Sequence, residues 1–224
     1  MTRFTRNSSV KFSGAPAGRR VPREFYERPT LVVAEELIGK VLVHHTAGGG
    51  RVAGAIVEVE AYIGESDPAC HAAPGPTRRN APLYGPPGVA YVYLNYGIHC
   101  LLNAVTEREG DPAAVLFRAI APLEGVSVMR RRRQTGPDTP VELLGRGPGN
   151  LARALGVSLR HNRSDLVESR LTIEDHGLRL GPVAWGPRIG IRVGVDRPWR
   201  CFVAGHPAVS GSRASVPAGG TIRS

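Results

Sequence analysis

The sequence has few cysteines and no long apolar run. Its three cysteines, Cys70, Cys100 and Cys201, form no C-x-x-C pair, which argues against a disulfide framework and a cysteine-rich zinc site. No stretch reaches the roughly 20 apolar residues of a membrane-spanning helix, and the polar N-terminus lacks the apolar centre of a signal peptide. These absences predict a soluble, intracellular protein with reduced thiols and with no metal or other cofactor.

Negative charge is also scarce. Nineteen Asp and Glu residues face 29 Lys and Arg residues, so the formal net charge is +10 and a polyanion is the expected partner. DNA, RNA and anionic lipid all remain open at this point. The length of 224 residues suits one core. We expect a disordered basic arm over residues 1–20, one domain over residues 21–210 and a flexible tail over residues 211–224.

Hydrophobic spacing predicts a helix followed by a β-hairpin in the first third of the chain. The helix covers Glu24 to Gly39, the first strand Lys40 to His45, and the second strand Arg51 to Tyr62. Polar and apolar residues alternate in the second strand, so Glu58, Glu60 and Tyr62 share one face of a half-buried strand. In the simplest interpretation, Glu58 and Glu60 are ordinary solvent-facing residues of this strand.

Further β-strands follow along the chain. Gly88 to Tyr96 and Ile98 to Val105 are predicted to form a hairpin with Asn95-Tyr96-Gly97 as its turn. The other predicted elements are a strand over Ala113 to Ile120, helices over Pro122 to Arg133 and Gly149 to Leu155, and strands over Val183 to Val195 and Cys201 to Val203. The pattern predicts an α+β fold with a mostly antiparallel sheet in a single compact domain.

Tyrosines are concentrated near the candidate carboxylates. Tyr62, Tyr91, Tyr93 and Tyr96 are four of the six tyrosines, and flat aromatic faces are the surfaces on which an extruded base stacks. Tyr91 and Tyr93 could equally pack in a core. Packing explains Tyr96 at a hairpin tip poorly, and such a residue can enter the minor groove as a wedge.

Each of three basic or glycine-rich segments has two possible roles. Arg118 lies in an apolar strand, either paired with Glu60 in the interior or extended to solvent from an edge. The run from Arg130 to Arg133 is either a solvated helix face or a phosphate contact. The turn from Gly145 to Asn150 precedes a helix, where free backbone N–H groups can hold a phosphate, although many such turns bind nothing.

Several of these segments together resemble the alkyladenine (3-methyladenine) DNA glycosylase family. The matching segments, in family order, are Val57 to Tyr62, Ala69 to His71, Thr77 to Asn80, Ala90 to Tyr93, Asn95 to Gly97, Asn103, Leu116 to Ala119 and Pro122 to Gly125. The resemblance runs from about Glu36 to Val209. It implies a curved antiparallel β core with peripheral helices, similar to the C-terminal domain of formyltransferases, and a monomer.

The resemblance also implies roles for individual residues. Glu60 would be the general base that holds the attacking water, and Arg118 would help to position it. The flipped base would lie among Tyr62, His71 and Tyr93, with Asn103 lining the pocket and Tyr96 as the intercalating wedge. For His71 and Asn103 these roles depend on the family match, because each residue alone is more often structural.

The expected reaction is hydrolysis of the N-glycosidic bond of an alkylated or deaminated purine in duplex DNA, which leaves an abasic site. The only lysines are Lys11 and Lys40, so strand cleavage through a lysine Schiff base is not expected. Asn150 departs from the family, which often has a basic residue there. The expected location is the bacterial cytoplasm or a nucleus.

Two other functions remain open from the residues. A nonenzymatic nucleic-acid-binding module would use the basic surface and the tyrosines, with Glu60 in a structural role. A purine nucleoside hydrolase would share the carboxylate and the tyrosine pocket but would have no use for Tyr96 or for the positive charge.

Overall fold

The protein is built around one antiparallel β-sheet. A computed structural model describes residues 18–210, and every strand pairing within that range is antiparallel. The strands are β1 (Arg19–Arg20), β2 (Val41–His45), β3 (Arg51–Ile63), β4 (Ala90–Asn95), β5 (His99–Val105), β6 (Ala113–Glu124), β7 (Leu171–Asp175), β8 (Val183–Gly186) and β9 (Arg200–Val203). Their order is β1-β7-β2-β3-β6-β5-β4, and β9 pairs with both β3 and β8.

Four short α-helices flank the sheet. They are α1 (Arg23–Tyr26), α2 (Thr30–Leu37), α3 (Val126–Arg133) and α4 (Pro148–Leu155). The α+β prediction is therefore confirmed, while the likeness to the formyltransferase domain stays a prediction. The predicted arm and tail lie mostly outside the described residues, but Arg19 and Arg20 of that arm pair with β7. No helix in the described range is long and apolar enough to cross a membrane.

The central strand β3 is buried on both faces. Ile56 and Val59 belong to the main core beneath α2 and α4, whereas Val57 packs with Val203 and Val209 on the other side of the sheet. Glu58 and Glu60 have no exposed surface. The expectation of a half-buried strand with solvent-facing carboxylates is therefore wrong, because the β9 region covers the polar face.

Proline positions explain two differences from the predicted helix boundaries. The predicted helix over residues 24–39 is two helices, because Pro29 lacks the N–H needed to continue α1 and instead precedes the first turn of α2. Pro122 does not begin α3 but lies in β6 opposite Gly54, and α3 begins after Gly125, whose φ of 70° turns the chain. The helix predicted over residues 149–155 is confirmed as α4.

The hairpin of β4 and β5 ends in the predicted turn. Tyr96 and Gly97 both have positive φ, 49° and 70°, as a type I′ turn requires. The strand predicted over residues 183–195 is wrong beyond Gly186. Pro187 lacks an N–H for strand pairing, and residues 187–199 form a loop that returns to β3.

The arginine run at the end of α3 holds neighbouring carbonyl groups. Arg130 donates to the oxygens of Gly136 and Thr139, at 2.7 and 2.8 Å. Arg132 donates to Ala154 O at 3.1 Å and Arg133 to Leu144 O at 3.1 Å. Because carbonyls past a helix end need donors, three of the four arginines stabilise the packing of α3 against its neighbours.

Candidate active site

A pocket of about 360 Å³ opens between the end of β3, the β4–β5 hairpin, the loop after β8 and the start of α4. This volume is within the usual range for a small-molecule site. Its lining includes the residues expected to bind the base or position the water, other than Glu60: Tyr62, His71, Tyr93, Tyr96, Asn103 and Arg118. The fold thus brings together residues that lie as far as 129 positions apart, from Tyr62 to Ile191.

Glu60 lies immediately behind this lining, and its three polar neighbours approach from different elements. The backbone N–H of Ile189 donates to Oε1 at 2.7 Å, and the Tyr62 hydroxyl donates to Oε2 at 2.9 Å. Nη1 of Arg118 is 3.2 Å from Oε1. Tyr62, Arg118 and Ile189 all line the pocket, so the carboxylate is held in one orientation just beneath its floor.

Arg118 connects Glu60 to a second buried carboxylate. Its Nε donates to Oε1 of Glu58 at 3.1 Å, and its side chain is only 7% exposed. The register of β3 and β6 shifts beside it, since Glu58 pairs with Ala119 and Val59 with Phe117. This irregularity changes the direction of the Arg118 side chain, which therefore contacts both carboxylates. The contact with Glu60 was predicted from the sequence, and the contact with Glu58 was not.

Glu58 is saturated with donors. It accepts the backbone N–H and the hydroxyl of Ser210, at 2.7 and 2.8 Å, as well as Nη1 of Arg200 at 3.2 Å. With Arg118 this makes a closed polar network with no solvent access to Glu58. Such a network fixes the arginine that faces Glu60.

The two carboxylates therefore differ in what they can do. Burial raises the pKa of Glu60, and the charge of Arg118 and the hydrogen bonds from Ile189 and Tyr62 oppose that rise only in part. A raised pKa makes Glu60 a better proton acceptor than an exposed carboxylate. Glu58 has its lone pairs occupied and is suited to holding Arg118.

Aromatic rings form the wall of the pocket. The His71 and Tyr93 rings are 4.4 Å apart at 66°, and Tyr91 lies 5.3 Å from Tyr93. The His71 Nδ1 and the Tyr91 hydroxyl share a hydrogen bond of 2.9 Å. Burial, aided by Arg79, lowers the pKa of His71, so the ring is neutral at neutral pH. Burial raises the pKa of Tyr91 to about 12, so this phenol keeps its proton.

Asn103 is buried at the side of the pocket. Its Nδ2 donates to the backbone oxygen of Tyr91 at 3.0 Å across the β4–β5 pair. That bond leaves the side-chain oxygen as the acceptor available to a ligand. Both Asn103 and His71 therefore line the pocket, as the family resemblance implied.

The hairpin tip carries two exposed apolar side chains. Tyr96 is 86% exposed and Ile98 is 74% exposed, although both are large hydrophobic residues. Neither contributes to a core cluster among the described residues. The sequence predicts the exposure of Tyr96, whereas the strand pattern gives no sign that Ile98 is exposed beside it.

The buried pair of Asp67 and Arg188 was missed by sequence reasoning. Both side chains are fully buried, and the two guanidinium nitrogens meet the two carboxylate oxygens at 2.5 and 2.8 Å. The Arg188 guanidinium also lies 4.7 Å from the centre of the Tyr62 ring. The pair anchors the loop that delivers Ile189 to Glu60. No local pattern connects two residues 121 positions apart.

The glycine-rich turn before α4 closes the pocket from another side. Pro148 lines the pocket, and a Cβ on Gly149 would meet the His99 ring at 3.0 Å. Asn150 donates its side-chain amide to Arg146 O at 2.8 Å. Phosphate binding by this turn stays a prediction.

Within residues 18–210, no three His, Cys, Asp or Glu side chains are grouped to hold a metal ion.

Comparison with known proteins identifies the class to which this fold and pocket belong. The model of the methylpurine-DNA glycosylase family matches residues 24–207, which is most of the chain. The protein is thus a DNA glycosylase, and the chain belongs to the methylpurine-DNA glycosylase family.

Bacterial and archaeal relatives agree with that assignment. A protein of Prosthecochloris aestuarii is 45% identical over 192 residues, covering 85% of this chain and 91% of its own. Proteins of Koribacter versatilis and Methanocella arvoryzae are each 46% identical, covering 86% and 85% of this chain and 94% and 95% of theirs. All three bear the provisional name 3-methyladenine DNA glycosylase.

Proposed function

We propose that the protein releases alkylated or deaminated purines from duplex DNA by hydrolysing the N-glycosidic bond with a water activated by Glu60. The observation that carries this proposal is the carboxylate of Glu60, buried beneath an aromatic pocket with a raised pKa and three polar neighbours. A carboxylate in that position can remove a proton from water and can stabilise positive charge on the sugar.

The hairpin tip supports base flipping. Tyr96 and Ile98 project from the turn at the tip of the β4–β5 hairpin, where they form an exposed apolar wedge of a kind that can enter the minor groove. Tyr96 also lines the pocket mouth. The wedge fills the gap in the stack while the damaged nucleotide rotates into the adjacent pocket. The net charge of +10 brings the duplex to the protein.

Inside the pocket, the base lies against Tyr62, Tyr93 and His71. A cationic alkylated purine gains attraction from the faces of the tyrosine rings, and the neutral His71 adds no repulsion. The Asn103 side-chain oxygen is an acceptor that discriminates among the edges of bases.

The proposed chemistry has a simple proton balance. A water oxygen bonds to the anomeric carbon, the bond from that carbon to the base nitrogen breaks, and Glu60 takes the water proton. A carboxylate has about four acceptor sites. Ile189 and Tyr62 occupy two of them, which leaves room for the water beside Arg118. An alkylated cationic base departs as a neutral molecule, whereas a deaminated base also needs a proton.

Water rather than an amine is the proposed nucleophile. Lys40 is the only lysine in residues 18–210, and its Nζ pairs with Asp175 at 3.0 Å, away from the pocket. The product is therefore an abasic site in an intact strand. We expect the enzyme to act as a monomer inside the cell.

The test uses duplex oligonucleotides with one hypoxanthine, ethenoadenine or 3-methyladenine, and alkali to reveal abasic sites. We expect wild type to release a base, Glu60→Gln to bind the same duplex without release, and Glu36→Gln to behave as wild type. Glu36 is the control because it pairs with Arg28 on the surface.

Two outcomes would replace the proposal. Binding without release by wild type would favour a nonenzymatic DNA-binding module. Release from free nucleosides at the same rate as from duplex DNA would favour a nucleoside hydrolase. Unchanged release by Glu60→Gln would remove Glu60 from the mechanism.

A further inference from the structure

A second cavity, of about 460 Å³, lies at the other end of α4 from the active-site pocket. Pro148 at the start of α4 lines the first pocket, whereas Gly156 just past its end lines the second. His45 in this cavity pairs with Arg51, and Glu60 is nine residues further along β3. At ~3.3 Å per strand residue, the two sites are about 30 Å apart.

The lining of this second cavity is cationic. Its basic members come from four separate segments and are His44, His45, Arg132, Arg160, His161 and Arg170. Thr46, Ser164 and Ser169 also line it, although the Thr46 and Ser169 hydroxyls donate to the backbone oxygens of Gly50 and Leu171, and no Asp or Glu is among its lining residues. Two acids adjoin lining residues in sequence: Asp165, next to Ser164, is already engaged by Arg23, whereas Glu168, next to Ser169, is exposed.

Two of the arginines are uncommitted. The guanidinium groups of Arg160 and Arg170 make no hydrogen bond or ion pair with residues 18–210, and both side chains are exposed. In contrast, Arg23, Arg51 and Arg118 each pair with a carboxylate. Arg132 is anchored on Ala154 O, so its remaining N–H groups have a fixed direction.

The two inner histidines are oriented by the backbone. His44 Nδ1 lies 2.8 Å from Leu155 O and must carry a proton to donate to it. His161 Nδ1 accepts the N–H of Ser158 at 3.0 Å, which leaves its Nε2–H free to donate. The rings are 4.9 Å apart at 86°. Burial lowers the pKa of His44, and the nearby charges of His161, Arg132 and His45 lower it further. An anion in the cavity would favour the charged form of His44 and so oppose this fall in its pKa.

We propose that this cavity is a binding site for a phosphate group. Phosphate offers several acceptor oxygens and up to two negative charges, which match the guanidinium groups of Arg160 and Arg170, the N–H of His161 and the hydroxyl of Ser164. The group can come from a free phosphate compound or from the DNA backbone on the flank of the lesion. Neither source requires the Glu60 chemistry, so the proposal is independent of the proposed function.

The test measures binding of pyrophosphate by calorimetry at constant ionic strength. We expect saturable binding to wild type, a rise in melting temperature, and shifts of the His44 and His161 ring signals in NMR spectra. Arg160→Ala/Arg170→Ala should weaken binding at least tenfold. Both positions are exposed, so the variant keeps its fold.

A charge-matched control separates this site from general attraction. Arg108→Ala/Arg131→Ala removes two exposed arginines outside the cavity and should retain wild-type affinity. Glu60→Gln should also bind as wild type does. Equal affinity of wild type and Arg160→Ala/Arg170→Ala, or no saturable binding by wild type, would overturn the proposal.

Undamaged duplex DNA distinguishes the two sources. If the backbone supplies the phosphate, pyrophosphate competes with the duplex, and Arg160→Ala/Arg170→Ala lowers the salt dependence of DNA binding by about two counterions. If the source is a free phosphate compound, this variant binds the duplex as the control variant does while its pyrophosphate affinity alone falls.

Discussion

Replacing Asp67 by Asn should destabilise the protein more than any single change at a surface ion pair. The Asp67 and Arg188 side chains are both fully buried, and their bidentate contact holds the loop after β8 against β3. Asn keeps the size of the side chain but removes its charge. The Arg188 cation then stays in the interior without its partner carboxylate. Leaving such a charge buried and unpaired is the main energetic cost of breaking a buried ion pair.

The structure sets the expected size of this effect. Breaking a buried ion pair costs about 3–5 kcal/mol. Arg188 also donates to the oxygens of Ala61 and Gly194, at 3.1 and 3.2 Å, and these bonds survive the substitution. We therefore expect a loss of unfolding free energy at the lower end of this range, about 3 kcal/mol. For a chain of this size, that loss lowers the melting temperature by about 6–12 °C.

Urea denaturation and thermal melting measure the effect directly. The matched control is Glu36→Gln, because Arg28 and Glu36 form a similar contact at the surface, where an ion pair contributes about 0–1 kcal/mol. If Asp67→Asn loses no more unfolding free energy than Glu36→Gln does, the argument that burial makes this ion pair costly to break is refuted.

The same pair predicts a pH dependence. Burial acts to raise the pKa of Asp67, but the hydrogen bonds and charge of Arg188 outweigh it and lower the pKa below its usual value. Stability from this pair is thus present above the unfolded pKa of about 3.9 and is lost as pH falls through the lower folded value. The difference in stability between wild type and Asp67→Asn should shrink in that acidic range.

Three further predictions concern the site. The acidic limb of the single-turnover rate should lie above the usual Glu pKa of about 4.3, because Glu60 must be ionised and burial raises its pKa; a limb at or below that value would contradict the assignment. Tyr96→Ala should change stability by less than about 0.5 kcal/mol but slow release from duplex much more than from single-stranded DNA; equal slowing on both substrates would argue against a wedge. Glu58→Gln should cost about 1.5–3 kcal/mol in urea denaturation and lower kcat, because Arg118 keeps Glu60 but loses one of its two charged partners; unchanged kcat would show that Arg118 needs no support from Glu58.

Sequence alone determined the features that depend on neighbouring residues. The turn at Asn95-Tyr96-Gly97 is predictable because short hairpin turns need positive φ angles, which Gly adopts readily. A residue at the tip of such a turn projects into solvent, so the exposure of Tyr96 is predictable too. The α+β class and the end of α4 likewise follow from local periodicity and glycine. The family motifs predict catalytic roles for Glu60 and Arg118, which stay predictions, and the structure has these two side chains in contact.

Tertiary structure decided which polar groups are buried and what they contact. Glu58 and Glu60 alternate with apolar residues as exposed residues would, yet β9 and the segment to Ser210 cover them. The pair of Asp67 and Arg188 depends on a contact across 121 positions. Local periodicity reports only which residues share a face of one element. Whether that face meets solvent, another carboxylate or a loop depends on distant segments that pack against it, so only the folded chain determines the environment of Glu60.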